Sequence, residues 1–154
     1  MMSDSGKNKT SKTARVRARR SVVQALYQWG MADKSMSEII REFENDRSEL
    51  NKADIEYFRE ILIGIEKNIE ELDEQLTPLL DRSLAKLDPV ENAILHLGLY
   101  ELLYHLELPC RVVLNESIEL AKMFGADQSH KYVNGILDKA AHQIRAAEFA
   151  KTST

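Results

Sequence analysis

The sequence predicts an all-α fold: about seven helices arranged as two packed three-helix bundles. Three observations carry this. Apolar residues recur at steps of three and four, the period of a helix face. Six glycines and three prolines in 154 residues punctuate the chain sparingly. Turn clusters at the regular spacing of an all-β protein are absent.

Residues 1–12 are rich in Ser, Lys, Asn and Thr and lack an apolar period. They are expected to form a basic arm that is disordered when free. Helix one is predicted over residues 13–31, on a stripe of Val16, Val23, Leu26, Tyr27 and Gly30 with Trp29 beside it. Ser37 is expected to cap a second helix through Asn45, with Ile39, Ile40 and Phe43 facing inward. One long third helix over residues 52–76 follows from Ile55, Phe58, Leu62, Ile65, Ile69, Leu72 and Leu76, a heptad-like run. Thr77-Pro78 stops it or opens a short helix holding Leu79, Leu80, Leu84 and Leu87. Asp88-Pro89-Val90-Glu91 combines an N-cap, a proline in the first turn and an acid three residues after the cap, so a fifth helix starts there. Pro109 punctuates its end. A sixth helix over residues 112–124 should stop at Gly125. The last, over residues 129–144, carries Val133, Ile136, Leu137, Ala140, Ala141 and Ile144. Gly135 within it is expected to admit a facing helix. Residues 13–145 form a single helical domain on this reading, and residues 146–154 a frayed tail.

Charge is divided unevenly. Residues 1–20 carry a net +6 and the remaining 134 residues a net −10. A basic arm on an acidic body predicts local contact with a polyanion rather than diffuse binding. There is no apolar leader, no run of about 20 apolar residues, and a single cysteine, Cys110. A cytoplasmic location, no membrane contact and no disulfide are expected.

Arg15, Arg17, Arg19 and Arg20 are the first candidates for phosphate or nucleic-acid contact, because guanidinium groups fork onto phosphates and stack on bases; a solvated basic helix start is the alternative. Arg15 and Arg19 are one helical turn apart and can act together. Cations at a helix N-terminus oppose the macrodipole by roughly a few tenths of a kcal/mol each, which hints at a use other than stability. Gln24 and Tyr27 lie one and two turns beyond Arg20 and could read or stack on bases, although a tyrosine on this stripe more often faces the core. Lys131 and Tyr132 pair a cation with an aromatic ring near a helix start. Tyr132 could equally be half-buried core.

His96, His105, His130 and His142 show no metal-ligand spacing, and Cys110 has no CxxC partner. No glycine-rich phosphate loop is present. No enzyme activity, cofactor or metal is expected. A protein-only helical adaptor remains an alternative. A helix-turn-helix DNA binder ranks last, because the final helix offers only Lys131, Lys139 and Arg145 around the acid Asp138.

The chain resembles the NusB family of bacterial transcription antitermination factors. The resemblance runs from the arginine-rich start into Val23-Gln24-Ala25-Leu26-Tyr27-Gln28-Trp29, through Tyr57-Phe58-Arg59, Glu91, Leu99-Tyr100-Glu101-Leu102 and Asn115-Glu116. Its most discriminating stretches are residues 119–126 (ELAKMFGA) and 129–139 (SHKYVNGILDK). It implies two three-helix bundles and binding to boxA leader RNA with the small-subunit ribosomal protein called NusE. It also implies assembly with NusA, NusG and RNA polymerase to resist termination in ribosomal RNA operons, and no catalysis. Arg15, Arg17, Arg19, Gln24, Tyr27, Lys131 and Tyr132 match positions beside RNA. Tyr27 and Glu91 match positions near the partner protein. Homodimerisation varies within the family. A related domain is also found fused to ribosomal RNA methyltransferases, but methyl transfer is not expected here.

Val16 interrupts the arginine run, Arg20 extends it, Gln128 stands where an acid is found, and His96 where a basic residue occurs. With about four contacts to single-stranded RNA, log affinity should fall with log salt at a slope of about −3. Replacing Arg15 and Arg19 by alanine is expected to flatten that slope with the fold intact.

Overall fold

The computed structural model describes residues 4–46 and 50–150, with side chains from Lys12 onward. Eight α-helices follow in order: α1 (Asp4–Met31), α2 (Met36–Asn45), α3 (Ile55–Lys67), α4 (Ile69–Leu76), α5 (Pro89–Tyr104), α6 (Cys110–Phe124), α7 (Ser129–Ile144) and α8 (Ala146–Ala150). Short 3-10 turns at Thr77–Leu79 and Leu84–Lys86 lie between α4 and α5. No strand occurs among the described residues. The chain divides into two compact units, one through Glu66 and one from Lys67.

In the first unit, α1, α2 and α3 form a three-helix bundle. Ala18, Val22 and Ala25 of α1 are fully buried, as are Met36 and Ile39 of α2 and Phe58, Ile61, Leu62 and Ile65 of α3. Phe43 and Phe58 pack with ring centroids 5.6 Å apart. Val23 and Leu26 of the expected stripe are buried, but the inward face of α1 is shifted from it. It is centred on Ala18, Val22 and Ala25, while Tyr27 and Gly30 lie on the exposed side. Small alanines let helices approach closely and mark the contact line better than the larger residues that dominated the pattern.

Helix boundaries moved for local reasons. The helix α1 begins at Asp4, so residues 4–12, expected to be disordered, continue the helical backbone. Extending a formed helix adds one hydrogen bond per residue fixed, far cheaper than nucleating one. Residues 1–3 of the proposed arm lie outside the described residues. Ser35, not Ser37, caps α2: its hydroxyl accepts from the Glu38 amide at 3.2 Å. The long third helix breaks at Asn68, and α4 restarts with the Leu72 amide donating to the Asn68 carbonyl at 2.9 Å.

In the second unit, α5 is buried on all sides, without interruption from Ala93 to Leu102. Such a helix belongs at the centre of its unit. The Asp88 carboxylate caps it as predicted, accepting from the amides of Val90 and Glu91 at 3.1 Å each. The helices α6 and α7 pack on α5 and on each other. Gly98 admits a close approach of both: a Cβ there would lie 2.6 Å from Leu137 Cδ1 and 3.0 Å from Ser117 Oγ. The close approach expected at Gly135 is absent, since a Cβ there would have nothing within 4 Å. Gly125 ends α6, but in an extended conformation rather than a left-handed one. Space requires it: a Cβ would fall 2.8 Å from both the Ala121 carbonyl and Ser129 Cβ.

The C-terminal segment is anchored rather than frayed through Ala150. Arg145 is buried and caps the end of α5. Its Nε donates to the Leu102 carbonyl at 2.9 Å, Nη1 to Leu108 at 2.7 Å, and Nη2 to Glu101 and His105 at 3.3 and 3.0 Å. Nη1 also donates to Glu148 Oε1 of α8 at 2.6 Å. The other Glu148 oxygen accepts from the Cys110 amide at 3.1 Å, which ties α8 to the start of α6. Residues 151–154 of the expected tail lie outside the described residues.

Burial, with Glu148 alongside, pushes the Cys110 thiol up to about 11. At pH 8 only about one thiol in a thousand is then ionised, and the thiolate is the nucleophile. Alkylation by iodoacetamide at pH 8 is expected to run about a hundredfold slower in the folded chain than in urea-unfolded chain. Equal rates, followed by mass spectrometry, would contradict this placement.

Candidate nucleic-acid interface

The basic residues of α1 separate by face. Arg15 and Arg19, one turn apart, turn toward Tyr57 of α3. Their guanidinium carbons stand 4.5 and 5.5 Å from the Tyr57 ring centroid. Arg15 Nε also lies 3.9 Å from Asp54 Oδ2. Asp54 is itself a fixed point. Its Oδ1 accepts from the Tyr57 amide at 3.0 Å at the start of α3, and its own amide donates to the Ala14 carbonyl at 3.0 Å. Arg19 is only 4% exposed.

The sequence placed Arg19 among RNA contacts. The structure gives its side chain to the interior of the first unit, and Arg15 is half-buried beside it. Two arginines over one tyrosine form a cation–π latch between α1 and α3. The pairing of Arg15 with Arg19 was correctly read from their spacing, but their target is Tyr57.

The opposite face of α1 carries a different set. Arg17, Arg20, Gln24 and Tyr27 step by three, four and three, so they line one stripe. Arg17 and Arg20 are exposed, Gln24 is half-buried, and Tyr27 is 41% exposed. The expectation that Tyr27 faces the core is overturned. Two exposed guanidinium groups, an amide and an aromatic ring thus follow one another along about three turns of helix. That order suits a single strand of nucleic acid: phosphates to the arginines, bases to the ring and amide.

In the second unit, Lys131 is exposed and Tyr132 half-buried at the start of α7. The Tyr132 hydroxyl donates to Asp81 Oδ1 at 3.1 Å, and the same oxygen accepts from Arg82 Nε at 2.7 Å. The Arg82 guanidinium lies 4.8 Å over the Tyr132 ring. The Arg82 hydrogen bond is the main reason that the Asp81 carboxyl drops to about 2. This aspartate stays ionised across the working range and keeps Tyr132 oriented. The hydroxyl of Tyr132 is raised from its ordinary value, first by burial and then by Asp81. Asp81 and Arg82 were missed in the sequence because some fifty residues separate them from Tyr132 and no local pattern joins the two segments.

Glu91, the expected partner residue, is half-buried at the start of α5. One of its oxygens accepts from the Ser129 hydroxyl at 2.8 Å, linking the starts of α5 and α7. Gln128, one residue before α7, takes a left-handed backbone with φ of 72°. His96 is buried rather than superficial. Its Nε2 sits 2.7 Å from Asp73 Oδ1 and its Nδ1 2.8 Å from the Asn92 carbonyl, so this departure from the family acts between α4 and α5.

Among the described residues, no group of three His, Cys, Asp or Glu side chains is placed to hold a metal ion. None of their helices is long and apolar enough to cross a membrane.

The fold is that of an all-helical bundle protein, and one of its helices displays a cationic and aromatic stripe. The family model described as "NusB family" matches residues 16–142. The chain is 50% identical over 141 residues to the transcription antitermination protein NusB of Alcanivorax borkumensis, covering 92% of this chain and 93% of that one. It is 52% identical over 136 residues to the protein of the same name from Halorhodospira halophila, covering 87% and 86%. Among solved structures, T. maritima NusB superposes with a TM-score of 0.72 at 34% identity, covering 82% of this chain and 89% of that one. The solution structure of NusB from Aquifex aeolicus gives 0.69 at 28% identity, covering 87% and 92%. The chain belongs to the NusB family.

Proposed function

We propose that this chain is a transcription antitermination factor that acts by binding RNA, without catalysis of its own. The single observation that carries the RNA reading is the exposed stripe of Arg17, Arg20, Gln24 and Tyr27 on one face of α1. Its family membership, and relatives at about half identity named as transcription antitermination proteins, support the role. The RNA is the boxA element of a nascent ribosomal RNA leader. Arg17 and Arg20 hold phosphates, Gln24 and Tyr27 contact bases, and Lys131 with Tyr132 provides a second cation and ring. Arg15 supports the site from its half-buried position over Tyr57, and Arg19 acts by holding α1 against α3. The ribosomal protein NusE binds together with the RNA, with Tyr27 and Glu91 among its contacts. The assembly then joins RNA polymerase with NusA and NusG in the cytoplasm and makes elongation resist termination.

If NusE supplies a second wall of the RNA site, RNA and NusE raise each other's affinity, and by the same factor, because coupling between sites is reciprocal. A labelled boxA-type RNA titrated with the chain, alone and with saturating NusE, is expected to bind about tenfold tighter in the ternary case, within the usual range of coupling. The converse titration, NusE into the chain with and without RNA, should return the same factor. RNA that neither binds nor changes NusE affinity would instead favour a protein-only adaptor.

A further inference from the structure

Gly135 lies in the middle of α7 with no structural reason to be glycine. Its φ is not positive, and a Cβ would meet nothing within 4 Å. A glycine inside a helix is destabilising relative to alanine, and neither conformation nor packing compensates for it here. What Gly135 does line is an open groove of about 380 Å3 between α7 and the segment Pro78–Asp81.

The groove has a definite chemistry. Lys131, Gly135 and Lys139 are spaced at four-residue steps, so they share one face of α7 with the glycine midway. The two lysines are about 12 Å apart along the helix axis. Both are exposed, and neither makes an ion pair among the described residues. Among the described residues, the only acid lining the groove is Asp81, which already accepts from Arg82 and from Tyr132. Pro78 and Leu80 supply an apolar wall, and Tyr132 an aromatic edge. The volume falls within the range of small-ligand pockets. A positive rim around a bare backbone and an apolar wall suits a group that is flat in its middle and anionic at both ends.

We propose that this groove seats one nucleotide of the bound RNA, with base and sugar against the bare backbone at Gly135 and the flanking phosphates on Lys131 and Lys139. The proposal rests on the RNA-binding reading above and extends it to a second turn of α7 and to the Pro78–Asp81 segment. Gly135 is then a residue kept small for its ligand. Lys139 is a phosphate contact that sequence spacing alone did not single out.

The test uses the full chain and a labelled boxA-type RNA, with Gly135→Leu, Gly135→Ala and Lys139→Ala beside the unaltered protein. Both glycine variants should keep or raise the melting temperature, since both residues favour helix and the site is open. Gly135→Leu fills the groove and should weaken RNA binding tenfold or more without changing the salt slope. Lys139→Ala should weaken binding about fivefold at 0.1 M salt and flatten the log–log slope by about 0.7, the worth of one phosphate on a single strand. Failure of the unaltered chain to bind RNA would remove the functional reading itself. Binding by the unaltered chain, with Gly135→Leu and Lys139→Ala equally tight, would overturn the groove alone. Loss of NusE capture with RNA binding unchanged would assign the groove to a protein and overturn the proposal as well.

Discussion

Arg145→Ala is expected to destabilise the chain by about 4 kcal/mol, lowering its melting temperature by roughly 10 °C. The guanidinium serves four backbone carbonyls, those of Glu101, Leu102, His105 and Leu108, together with the Glu148 carboxylate. A charged donor contributes about 1.5–3 kcal/mol per hydrogen bond at most, and the bonds are not additive. Removing one partner of a buried charged cluster costs about 3–5 kcal/mol, because the groups left behind are desolvated. For a chain of this length each kcal/mol moves the midpoint by roughly 2–4 °C. Arg145→Lys should recover only part of the loss, since an ammonium is a point donor and cannot reach carbonyls spread in a plane. Glu148 adds a pH dependence. Its carboxyl is held below the ordinary range, first by the Cys110 amide and then by Arg145. That contribution is present above the unfolded glutamate range and is lost as pH falls through the depressed value. Thermal melts at neutral pH check the substitution, and a change of under 1 kcal/mol would contradict the clamp.

Arg19→Ala is the second large effect, and it should appear in stability rather than in RNA contact. A buried guanidinium over an aromatic ring is worth about 2 kcal/mol or more, and its methylenes pack as well. A loss of about 2–3 kcal/mol is expected in urea unfolding. Tyr57→Leu should lose a similar amount, and the double variant less than the sum, because both changes break the same latch. Additive losses would show that Arg19 and Tyr57 act independently. The salt slope of RNA binding should stay unchanged in any Arg19→Ala protein that remains folded. Combining Arg15→Ala with Arg19→Ala therefore mixes folding with binding.

Much of the fold was legible because its helices are amphipathic and well signalled. Asp88-Pro89 set the start of α5, and Phe58, Leu62 and Ile65 marked the inner face of α3. What failed was information that sequence spacing does not contain. The contact line of α1 runs through Ala18 and Ala25, whose small side chains register weakly in an apolar pattern. Which of four nearby arginines is buried depends on Tyr57, some forty residues away. The same distance hid the Asp81–Arg82 support of Tyr132 and the Arg145 cap on α5. Gly135 and Gly98 show the point in reverse. Both are mid-helix glycines, yet only Gly98 sits at a helix crossing. Local pattern places a residue on a face; tertiary packing decides what the face meets.

The central claim is that the outer face of α1, and not the face against α3, grips a single-stranded transcript. The most direct measurement is the affinity for a boxA-type RNA from 50 to 300 mM salt, for the unaltered chain and for Arg17→Ala with Arg20→Ala. Two phosphate contacts at about 0.7 each predict a slope flatter by about 1.4 in the double variant, with an unchanged melting temperature. An identical slope and affinity in the two folded proteins would contradict the account.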